Sequence, residues 1–407
     1  MPSSTLDIPR WVPPEPTKTS DIDWAPLWTL DLSEIRGENF TEVSESLVAR
    51  VGEAFHKDGF IYAVNHGLSW DEVLRQFAIG QYAFNAVTEE EKQKFKADIL
   101  RTGSFAGYKE MGHWKINGVK DKIEQFNVVS TSFSKEKREA SFPPGLKALI
   151  PEIQTFAKFN HENIYRKVLT LLSLVLKLPA DYLWNLSRDP ESKGLDLLRY
   201  AAYHTPSKED DQALGGVRLQ GHTDFNAVSI LWSQPITSLE VLMPSNEWKL
   251  VKHIDNALVI NLGDCLQFLS GGYLKQTIHR VIAPPEDQAH YTRLGIFYFA
   301  FTNADVPLEP LLESPVVRQA LSERAEGPDF WAENRKTGER IPTAGEWESL
   351  RVRAYGQQGT KKREDGHETE KIGGVEVTLY NDVQKLKKDE LVQLAQQLQS
   401  KALVAGA

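Results

Sequence analysis

Two histidines and one aspartate carry the clearest chemical signal in this sequence. His222 and Asp224 lie two residues apart in the segment GHTDFNAVSILW. Because a β-strand turns every second side chain to the same face, these two side chains can bind one ion from the same direction. His279 lies 55 residues beyond Asp224 in KQTIHRVIAPP, a segment that also predicts a strand. Two imidazoles and one carboxylate on one side of a metal ion leave the opposite positions open, which is typical of non-haem Fe(II) sites.

A His-x-Asp pair alone is a weak signal, because a hydrogen-bonded histidine near a strand end explains most such pairs. The neighbouring segments favour the metal interpretation. An apolar run between the second and third candidate ligands ends in Asn261 to Asp264 (NLGD), which predicts a structural turn. Arg293, 14 residues beyond His279, begins RLGIFYFAF, whose alternate residues from Arg293 to Phe299 share one face of a predicted strand.

Together these segments resemble the iron(II)/2-oxoglutarate-dependent dioxygenases of the isopenicillin-N-synthase-like family. The pattern of that family is HxD, then a distal HRV, then an Arg-x-Ser on the last barrel strand. The resemblance extends over about residues 40 to 302, because further segments occur in the expected order. They are Asp58-Gly59-Phe60 with Val64 to Gly67, Gly107-Tyr108, Asp121 to Phe126, and Leu198 to Tyr203.

The resemblance implies that His222, Asp224 and His279 are the catalytic Fe(II) ligands. 2-Oxoglutarate would then occupy two of the remaining metal positions and O2 the third. Arg293 is expected to bind the distal carboxylate of 2-oxoglutarate, because a planar guanidinium forms two parallel hydrogen bonds with a carboxylate. Tyr203 matches a tyrosine that hydrogen-bonds the co-substrate in relatives, and its alternative role is to fill the barrel.

Two positions depart from the family pattern and leave the pose of 2-oxoglutarate open. Gly295 stands where the family has serine, and Ala201 stands where many relatives have asparagine. Trp114 is predicted to lie on a covering loop. Substrate contacts are predicted at four positions that match residues facing the barrel mouth in relatives or that point inward by strand parity: Tyr108, Phe126, Phe225 and Phe299.

The residue pattern predicts an α+β protein with a double-stranded β-helix (jelly-roll) core. Helical spacing between Thr41 and His56, and helix starts near Ser69 and Thr88, predict an N-terminal helical region. A long amphipathic pattern from Glu152 to Leu178 predicts a bracing helix, or two in series. Short alternating runs separated by Gly, Pro and Asn from Leu198 to Thr302 predict antiparallel strands.

Four regions are predicted along the chain: an extended N-terminal arm (1–25), an α/β region with bracing helices (26–195), the jelly-roll dioxygenase core (196–304) and a C-terminal extension (305–407). Within the extension, Glu309 to Arg324 and Lys385 to Leu403 predict helices, Arg335 to Glu370 predicts loops, and Val375 to Tyr380 predicts a strand. The extension is predicted to be a lid over the barrel mouth or a homodimer contact, and both alternatives stay open.

Composition limits the classes of partner. The 407 residues are 41% hydrophobic and carry a net charge of −9 with no long basic run, which disfavours nucleic acid as a partner. The N-terminus has no apolar core of signal-peptide length, and no segment approaches a membrane span. The single cysteine, Cys265, predicts a buried inert thiol and suits a reducing compartment, so a cytoplasmic location without a membrane partner is expected.

Three functions are weighed on this basis. The first is a 2-oxoglutarate-dependent dioxygenase that hydroxylates, desaturates, cyclises or epoxidises a small organic molecule in specialised or natural-product biosynthesis. The second is an iron-dependent oxidase of the same fold that uses no 2-oxoglutarate, an alternative kept open by Gly295 and Ala201. The third is a non-catalytic small-ligand-binding relative, against which the intact metal triad argues.

Overall fold

The structure is a computed structural model that describes residues 6–116, 118–134, 141–189, 194–323, 329–355, 361–362 and 368–379. Its α-helices, in chain order, are α1 (Glu45–Lys57), α2 (Trp70–Asn85), α3 (Glu89–Lys94), α4 (Ile99–Thr102), α5 (Ile150–Phe159), α6 (Arg166–Val175), α7 (Tyr182–Asn185), α8 (Lys208–Leu214), α9 (Asp264–Leu269), α10 (Pro315–Ser322), α11 (Ala332–Thr337) and α12 (Ala344–Ala354). Short 3-10 helices cover Leu32–Glu34, Glu38–Phe40, Ser130–Phe133, Pro144–Leu149 and Glu286–Gln288.

The strands are β1 (Thr29–Asp31), β2 (Phe60–Val64), β3 (Gly107–Lys109), β4 (Lys115–Ile116), β5 (Val119–Lys120), β6 (Ile123–Val129), β7 (Leu197–Tyr203), β8 (Val217–His222), β9 (Val228–Trp232), β10 (Leu239–Leu242), β11 (Trp248–Leu250), β12 (Leu258–Leu262), β13 (His279–Ile282), β14 (Arg293–Ala300), β15 (Lys361–Lys362), β16 (Glu368–Ile372) and β17 (Val375–Leu379). The last three form a small separate sheet, and β4 and β5 form a hairpin.

Two facing sheets form the centre of the fold. The larger sheet has the order β1-β2-β12-β9-β14-β7-β6-β3 and the smaller one the order β11-β10-β13-β8. Leu239 and Val241 of the smaller sheet pack against Leu231 and Val259 of the larger sheet in one buried cluster. The predicted α+β fold with a jelly-roll core is therefore confirmed.

The bracing helix is confirmed as a continuous helical stretch with an interruption. Helices α5 and α6 run in series and are joined by a π-helical turn, Asn160–Tyr165. A π turn inserts an extra residue into a helix, and here Asn160 Oδ1 accepts a hydrogen bond of 3.0 Å from Trp232 Nε1 on β9. The turn therefore ties the brace to the middle of the larger sheet.

Helix α2 packs on the same outer face of the larger sheet, where close approach requires a glycine. A Cβ atom at Gly80 would lie 2.8 Å from Cδ1 of Tyr200 on β7, a distance that real Cβ contacts do not show. Even-numbered residues of β7 such as Tyr200 and Leu198 face this helical layer. The odd-numbered residues are thereby directed between the two sheets.

The N-terminal helices begin at capping residues that sequence reasoning largely identified. Helices α2 and α3 begin where predicted, next to Ser69 and Thr88. Ser69 and Glu72 form a reciprocal capping box at α2, and Thr88 and Glu91 form another at α3. Helix α1 begins later than the predicted Thr41, because Ser44 accepts a hydrogen bond from the backbone of Leu47 and so fixes the first turn at Glu45.

The C-terminal extension contains more helix than the sequence indicated. The prediction of loops from Arg335 to Glu370 is wrong for α12, which begins at a capping box between Thr343 and Glu346. This helix has no apolar stripe and is held by the burial of Trp347. In the other segments, α10 lies within the predicted Glu309–Arg324 helix and β17 confirms the predicted strand, whereas the predicted helix from Lys385 lies outside the described residues.

Among the described helices, none combines the length and apolar character needed to cross a membrane.

Candidate metal centre and adjoining cavity

The three predicted metal-ligating residues meet between the two sheets. His222 ends β8 and His279 begins β13, and the two residues are directly paired across the antiparallel strands. Asp224 lies just beyond β8, with its Oδ1 atom 3.7 Å from Nε2 of each histidine. One potential ligand atom from each residue lies within 4.8 Å of the others, so all three can bind one ion. Such spacing fits a metal–ligand shell with bonds of about 2.0–2.2 Å.

Hydrogen bonds orient each of these side chains. Nδ1 of His222 lies 2.8 Å from the carbonyl oxygen of Gln220, and Nδ1 of His279 lies 3.2 Å from that of Thr277. Each contact leaves Nε2 directed at the shared position. Metal-ligating histidines in proteins commonly have their second ring nitrogen fixed in this way.

The carboxylate of Asp224 is divided between two tasks. Its Oδ2 atom accepts hydrogen bonds from Ser229 Oγ at 2.5 Å and from Asn261 Nδ2 at 2.8 Å. Oδ1, the atom nearest the two imidazoles, has no such partner among these contacts and is free to bind a cation. Sequence reasoning missed Ser229 and took Asn261 as part of a turn.

The pKa values of His222 and Asp224 are both shifted towards the protonation states in which these side chains bind metals. Burial and the neighbouring His279 lower the pKa of His222 to about 4, so its imidazole is neutral at physiological pH. Burial alone would raise the pKa of Asp224, but the two histidines and the hydrogen bonds from Ser229 and Asn261 hold it below its ordinary value. Neutral imidazole and ionised carboxylate are the metal-binding forms.

The NLGD segment is positioned against the metal-binding loop by a very close backbone contact. A Cβ atom at Gly263 would lie 2.3 Å from the carbonyl oxygen of Asn226 and 2.8 Å from that of Asp224, so only glycine fits. The backbone N–H of Asp264 donates to the carbonyl of Asp224 at 2.8 Å. The segment is therefore more than a turn, because it fixes the backbone of one candidate ligand and, through Asn261, its side chain.

A cavity adjoins the three residues, and strands β6, β7 and β14 form one wall of it. Because the three strands are antiparallel and in register, their inward residues form rows. One row ends in Tyr203 and Arg293, the next contains Gln125, Ala201 and Gly295, and the third contains Arg199 and Phe297. The wall thus carries one guanidinium at each end of a short stretch of strand.

Arg293 fits the role of an anion anchor. Its guanidinium is buried, lies 5.0 Å from the ring centroid of Tyr203 and has Nε and Nη1 atoms without a hydrogen-bond partner. Buried donors without a partner are rare in proteins, and an anion bound here would satisfy both atoms. Tyr203 also lines the cavity, beside Arg293 across the β7–β14 pair.

The two departures from the family pattern lie in a single row. Ala201 is fully buried between Gly295 on one neighbouring strand and Gln125 on the other. A Cβ atom at Gly295 would lie 2.5 Å from the ring of Phe297, so a serine there would require that ring to move. Gln125 is the polar residue of this row, and its Oε1 atom is buried without a partner.

The predicted substrate-contact residues divide into two groups. Phe225 and Phe299 line the cavity, and Trp114 lines it from the turn between β3 and β4. The structure corrects the other two, because Tyr108 and Phe126 form a cross-strand pair that faces the helical layer. The hydroxyl of Tyr108 donates to Glu124 there at 2.7 Å. The error is one of strand parity, since a shift of one residue exchanges the two faces of a strand.

The C-terminal extension supplies cavity residues that sequence reasoning missed. Glu348 of α12 and Tyr355, just beyond it, line the cavity. The ring of Tyr355 makes edge contacts with the rings of His222, at a centroid distance of 5.9 Å, and of Trp114, at 5.0 Å. The available signal was the T-x-x-E capping box at Thr343, which marks a helix start in a polar segment.

Arg351 of α12 connects this helix to the metal-binding loop. Its guanidinium pairs with the buried carboxylate of Asp264 and donates to the carbonyl of Thr223, between His222 and Asp224, at 3.1 Å. Asp264 also accepts a hydrogen bond of 3.0 Å from the indole of Trp347. The helix and the candidate metal site are therefore one packed unit.

Replacing Arg351 by methionine is expected to lower the free energy of unfolding by about 3–5 kcal/mol, because the Asp264 carboxylate would stay buried without a counter-ion. Urea unfolding of the full chain measures this change. Arg353→Met, an exposed change on the same helix, is the matched control. A loss of stability in Arg351→Met no larger than in this control would show that the ion pair does not stabilise the fold. Adding Asp264→Asn to Arg351→Met is expected to restore part of the lost stability.

Comparisons with known proteins support the same interpretation of the fold and site. Residues 196–302 match the 2OG-Fe(II) oxygenase superfamily, and residues 28–145 match the non-haem dioxygenase in morphine synthesis N-terminal family. The chain is 28% identical over 354 residues to the UPF0676 protein C1494.01 of Schizosaccharomyces pombe, covering 82% of this chain and 94% of that protein. It is 29% identical over 287 residues to the 2-oxoglutarate-dependent dioxygenase tropC of Talaromyces stipitatus, covering 66% and 84%.

A solved structure has the same fold. A full-length protein of Neurospora crassa, crystallised in complex with alpha-KG, superposes with a TM-score of 0.66 at 20% identity, covering 84% of this chain and 99% of that one.

Proposed function

The chain belongs to the 2OG-Fe(II) oxygenase superfamily, and from this membership we propose that His222, Asp224 and His279 bind its Fe(II) and that Arg293 binds its 2-oxoglutarate. The protein is a 2-oxoglutarate-dependent dioxygenase. We propose that it oxidises a small organic molecule in natural-product metabolism. The observation that carries the assignment of residues is the convergence of one carboxylate oxygen and two imidazole nitrogens within 4.8 Å beside a cavity.

The residues present fit a ferrous ion. They supply two imidazoles and one carboxylate, each fixed by hydrogen bonds on the side away from the shared position. Three protein ligands from one side leave room for a chelating co-substrate and for O2 on the other. The open side is the cavity, since all three residues belong to its lining.

The residues also fit 2-oxoglutarate. The unpartnered Nε and Nη1 atoms of Arg293 offer donors for a carboxylate, and Tyr203 and Gln125 line the same cavity. Arg293 favours a 2-oxoglutarate-dependent enzyme over an oxidase that uses no 2-oxoglutarate, because in such an oxidase this buried guanidinium would have no anion to bind. The missing serine and asparagine donors make Tyr203 and Gln125 the candidates for further contacts with the co-substrate.

When bound, Fe(II) and 2-oxoglutarate supply the oxidising chemistry of this superfamily, in which O2 oxidises the keto acid to succinate and CO2 and oxidises the substrate. The chain's own residues orient the reactants and exclude water. Arg293 holds the distal carboxylate of the co-substrate, while Ser229 and Asn261 keep Asp224 in one rotamer. Tyr355 and the aromatic wall cover the site, which protects the reaction from solvent.

We assign the region from residue 305 to Tyr355 the role of a cavity cover, the first of the two predicted roles. Its support is the contact of Tyr355 with His222 and the ion pair between Arg351 and Asp264. A homodimer contact through this region is the alternative, and sedimentation equilibrium tests it. The apolar cavity favours a small-molecule substrate over nucleic acid, and a cytoplasmic location remains a prediction.

The reaction itself tests the proposed function. Metal-free protein is reloaded with Fe(II) or with Zn(II), and succinate formation from 2-oxoglutarate is measured in the presence of a panel of small aromatic and aliphatic compounds. We expect succinate with Fe(II) and none with Zn(II), because zinc has no accessible redox state. Iron-loaded protein that forms no succinate with any compound would overturn the proposal and favour a binding protein.

Replacing Asn261 by alanine is expected to weaken Fe(II) binding by about 10- to 100-fold, because the side chain that orients Asp224 is lost while all three ligands remain. Anaerobic titration with Fe(II) measures the affinity. Asn185→Ala, an exposed asparagine that bonds Asp181, is the matched control. Equal Fe(II) affinities in the two variants would show that Ser229 alone suffices to orient the carboxylate.

The pH dependence of co-substrate binding is expected to report on Glu348. Burial and the carboxylate of Asp196 raise the pKa of Glu348 to about 8, so its side chain is neutral at pH 7 and becomes anionic above about pH 8. A new negative charge in the cavity opposes a dianionic ligand, so the affinity for 2-oxoglutarate should fall several-fold as pH rises from 7 to 9. The affinity of Glu348→Gln for 2-oxoglutarate should not fall over this range. The same fall in Glu348→Gln as in the wild type would show that Glu348 is not its cause.

A further inference from the structure

A second guanidinium faces the cavity and has no role in the function proposed above. Arg199 lies on β7 and lines the cavity two rows away from Arg293. Two other arginines with buried head groups meet carboxylates: Arg351 pairs with Asp264, and Arg280 pairs with Glu240 at 2.6 Å. Within the described residues, no such ion pair is formed by Arg199.

The head group of Arg199 is nevertheless held firmly. Its Nε atom donates to Asn127 Oδ1 at 2.6 Å, and the guanidinium lies over the rings of Phe299, at 4.8 Å, and Phe105, at 5.0 Å. Burial lowers the pKa of Arg199 to about 10, so the group keeps its positive charge at neutral pH. These contacts leave the two Nη groups available, and a guanidinium fork suits a carboxylate.

Arg293 and Arg199 lie at different levels of the cavity wall. Tyr203, which pairs with Arg293, lies four residues from Arg199 along β7, which is a backbone separation of about 13 Å at the rise of a β-strand. The two carboxylates of 2-oxoglutarate, a five-carbon chain, are much closer together than that. If Arg293 holds the distal carboxylate and the metal holds the other end, neither carboxylate of the co-substrate is left for Arg199, and its guanidinium is available to a different anion.

The surroundings of Arg199 indicate what else that anion carries. Aromatic rings surround the cavity next to it, with Phe297 and Phe299 stacked at a centroid distance of 5.7 Å and Trp114 packed against Tyr355. A charged group at one point in an otherwise aromatic pocket selects a ligand with a flat apolar body and one anionic group.

We propose that Arg199 is a specificity-determining residue that binds the carboxylate of an aromatic carboxylic acid substrate. This inference rests on the proposed function, because it assigns the co-substrate to Arg293. It adds the chemical class of the substrate, and it places the acid group away from the co-substrate anchor.

Matched acid and amide probes test this proposal on the Fe(II)- and 2-oxoglutarate-loaded protein without oxygen. Isothermal titration compares 2-naphthoate with 2-naphthamide, which has the same shape and no charge. We expect the wild type to bind the acid about tenfold or more tightly than the amide. Arg199→Met should lose this preference, Arg199→Lys should keep part of it, and both variants should bind 2-oxoglutarate as the wild type does.

Each other outcome has a distinct meaning. Equal affinity of the wild type for acid and amide, or binding of neither probe, would overturn the assignment of an aromatic acid. Loss of 2-oxoglutarate binding in a folded Arg199→Met protein would also overturn it, because Arg199 would then serve the co-substrate. Failure of 2-oxoglutarate to bind the iron-loaded wild type would instead overturn the proposed function, and the titration with the two probes can still be read on the iron-loaded protein alone.

Discussion

His279→Ala is expected to lower both the affinity for Fe(II) and the rate of succinate formation by more than about 100-fold. Loss of a residue that merely orients a ligand typically costs 10- to 100-fold in metal affinity or activity, and His279 is proposed to be a ligand itself. Its Nε2 atom lies 3.7 Å from Asp224 Oδ1, and no other side chain with a metal-binding atom completes the cluster in the described chain. The remaining pair, His222 and Asp224, would bind the ion from too few directions to hold it.

The matched control for this variant is His56→Ala. His56 is an exposed histidine that hydrogen-bonds the carbonyl of Tyr273 at 2.7 Å and does not line the cavity. Bound iron after gel filtration and succinate formation under saturating 2-oxoglutarate measure the two effects. If His279→Ala retained the iron content and turnover of His56→Ala, the assignment of the triad would be wrong.

Arg293→Met is expected to weaken the binding of 2-oxoglutarate by about 30-fold or more while leaving Fe(II) binding unchanged. Truncating one partner of a buried charge pair costs about 2–5 kcal/mol, and each 1.4 kcal/mol is a factor of about ten in affinity. Arg293 is 5% exposed, so little water can replace the lost donors. The affinity of Arg293→Lys for 2-oxoglutarate should lie between those of the wild type and Arg293→Met, because an ammonium keeps the charge but not the two parallel hydrogen bonds.

The concentration of 2-oxoglutarate at half-maximal succinate formation measures this effect. Arg10→Met is the matched control, since Arg10 is an exposed arginine that pairs with Asp71 at the surface. A wild-type dependence on 2-oxoglutarate in Arg293→Met would contradict the anchor. In that case Arg199 would be the next candidate for the role.

The arrangement of the core could be predicted from the sequence because its signals are local. The alternation of β14 indicated which of its residues face inward. The acidic first turn after Ser69 and the capping box at Thr88 marked two helix starts. The HxD spacing needed only the geometry of one strand. His279 was identified because it matched a family pattern, although its pairing with His222 arises from a contact between distant segments.

The errors came from features that depend on packing. Tyr108 and Phe126 match positions that face the barrel mouth in relatives, but the register of β6 turns Gln125 to the cavity instead. The polar segment that forms α12 has no helical spacing of apolar residues. The helix is held instead by the buried Trp347 and by the ion pair of Arg351. Neither the partner strand nor the buried carboxylate that pairs with Arg351 can be read from the local sequence.

The most direct test of the account is an anaerobic titration of Fe(II)-loaded protein with 2-oxoglutarate, followed by the weak visible charge-transfer band of a metal-chelated keto acid. We expect a band that saturates in the wild type, is absent in His279→Ala and requires about 30-fold or more 2-oxoglutarate in Arg293→Met. A wild-type protein that holds iron but develops no band at any concentration of 2-oxoglutarate would contradict the central claim that this triad and this arginine together bind the metal and its co-substrate.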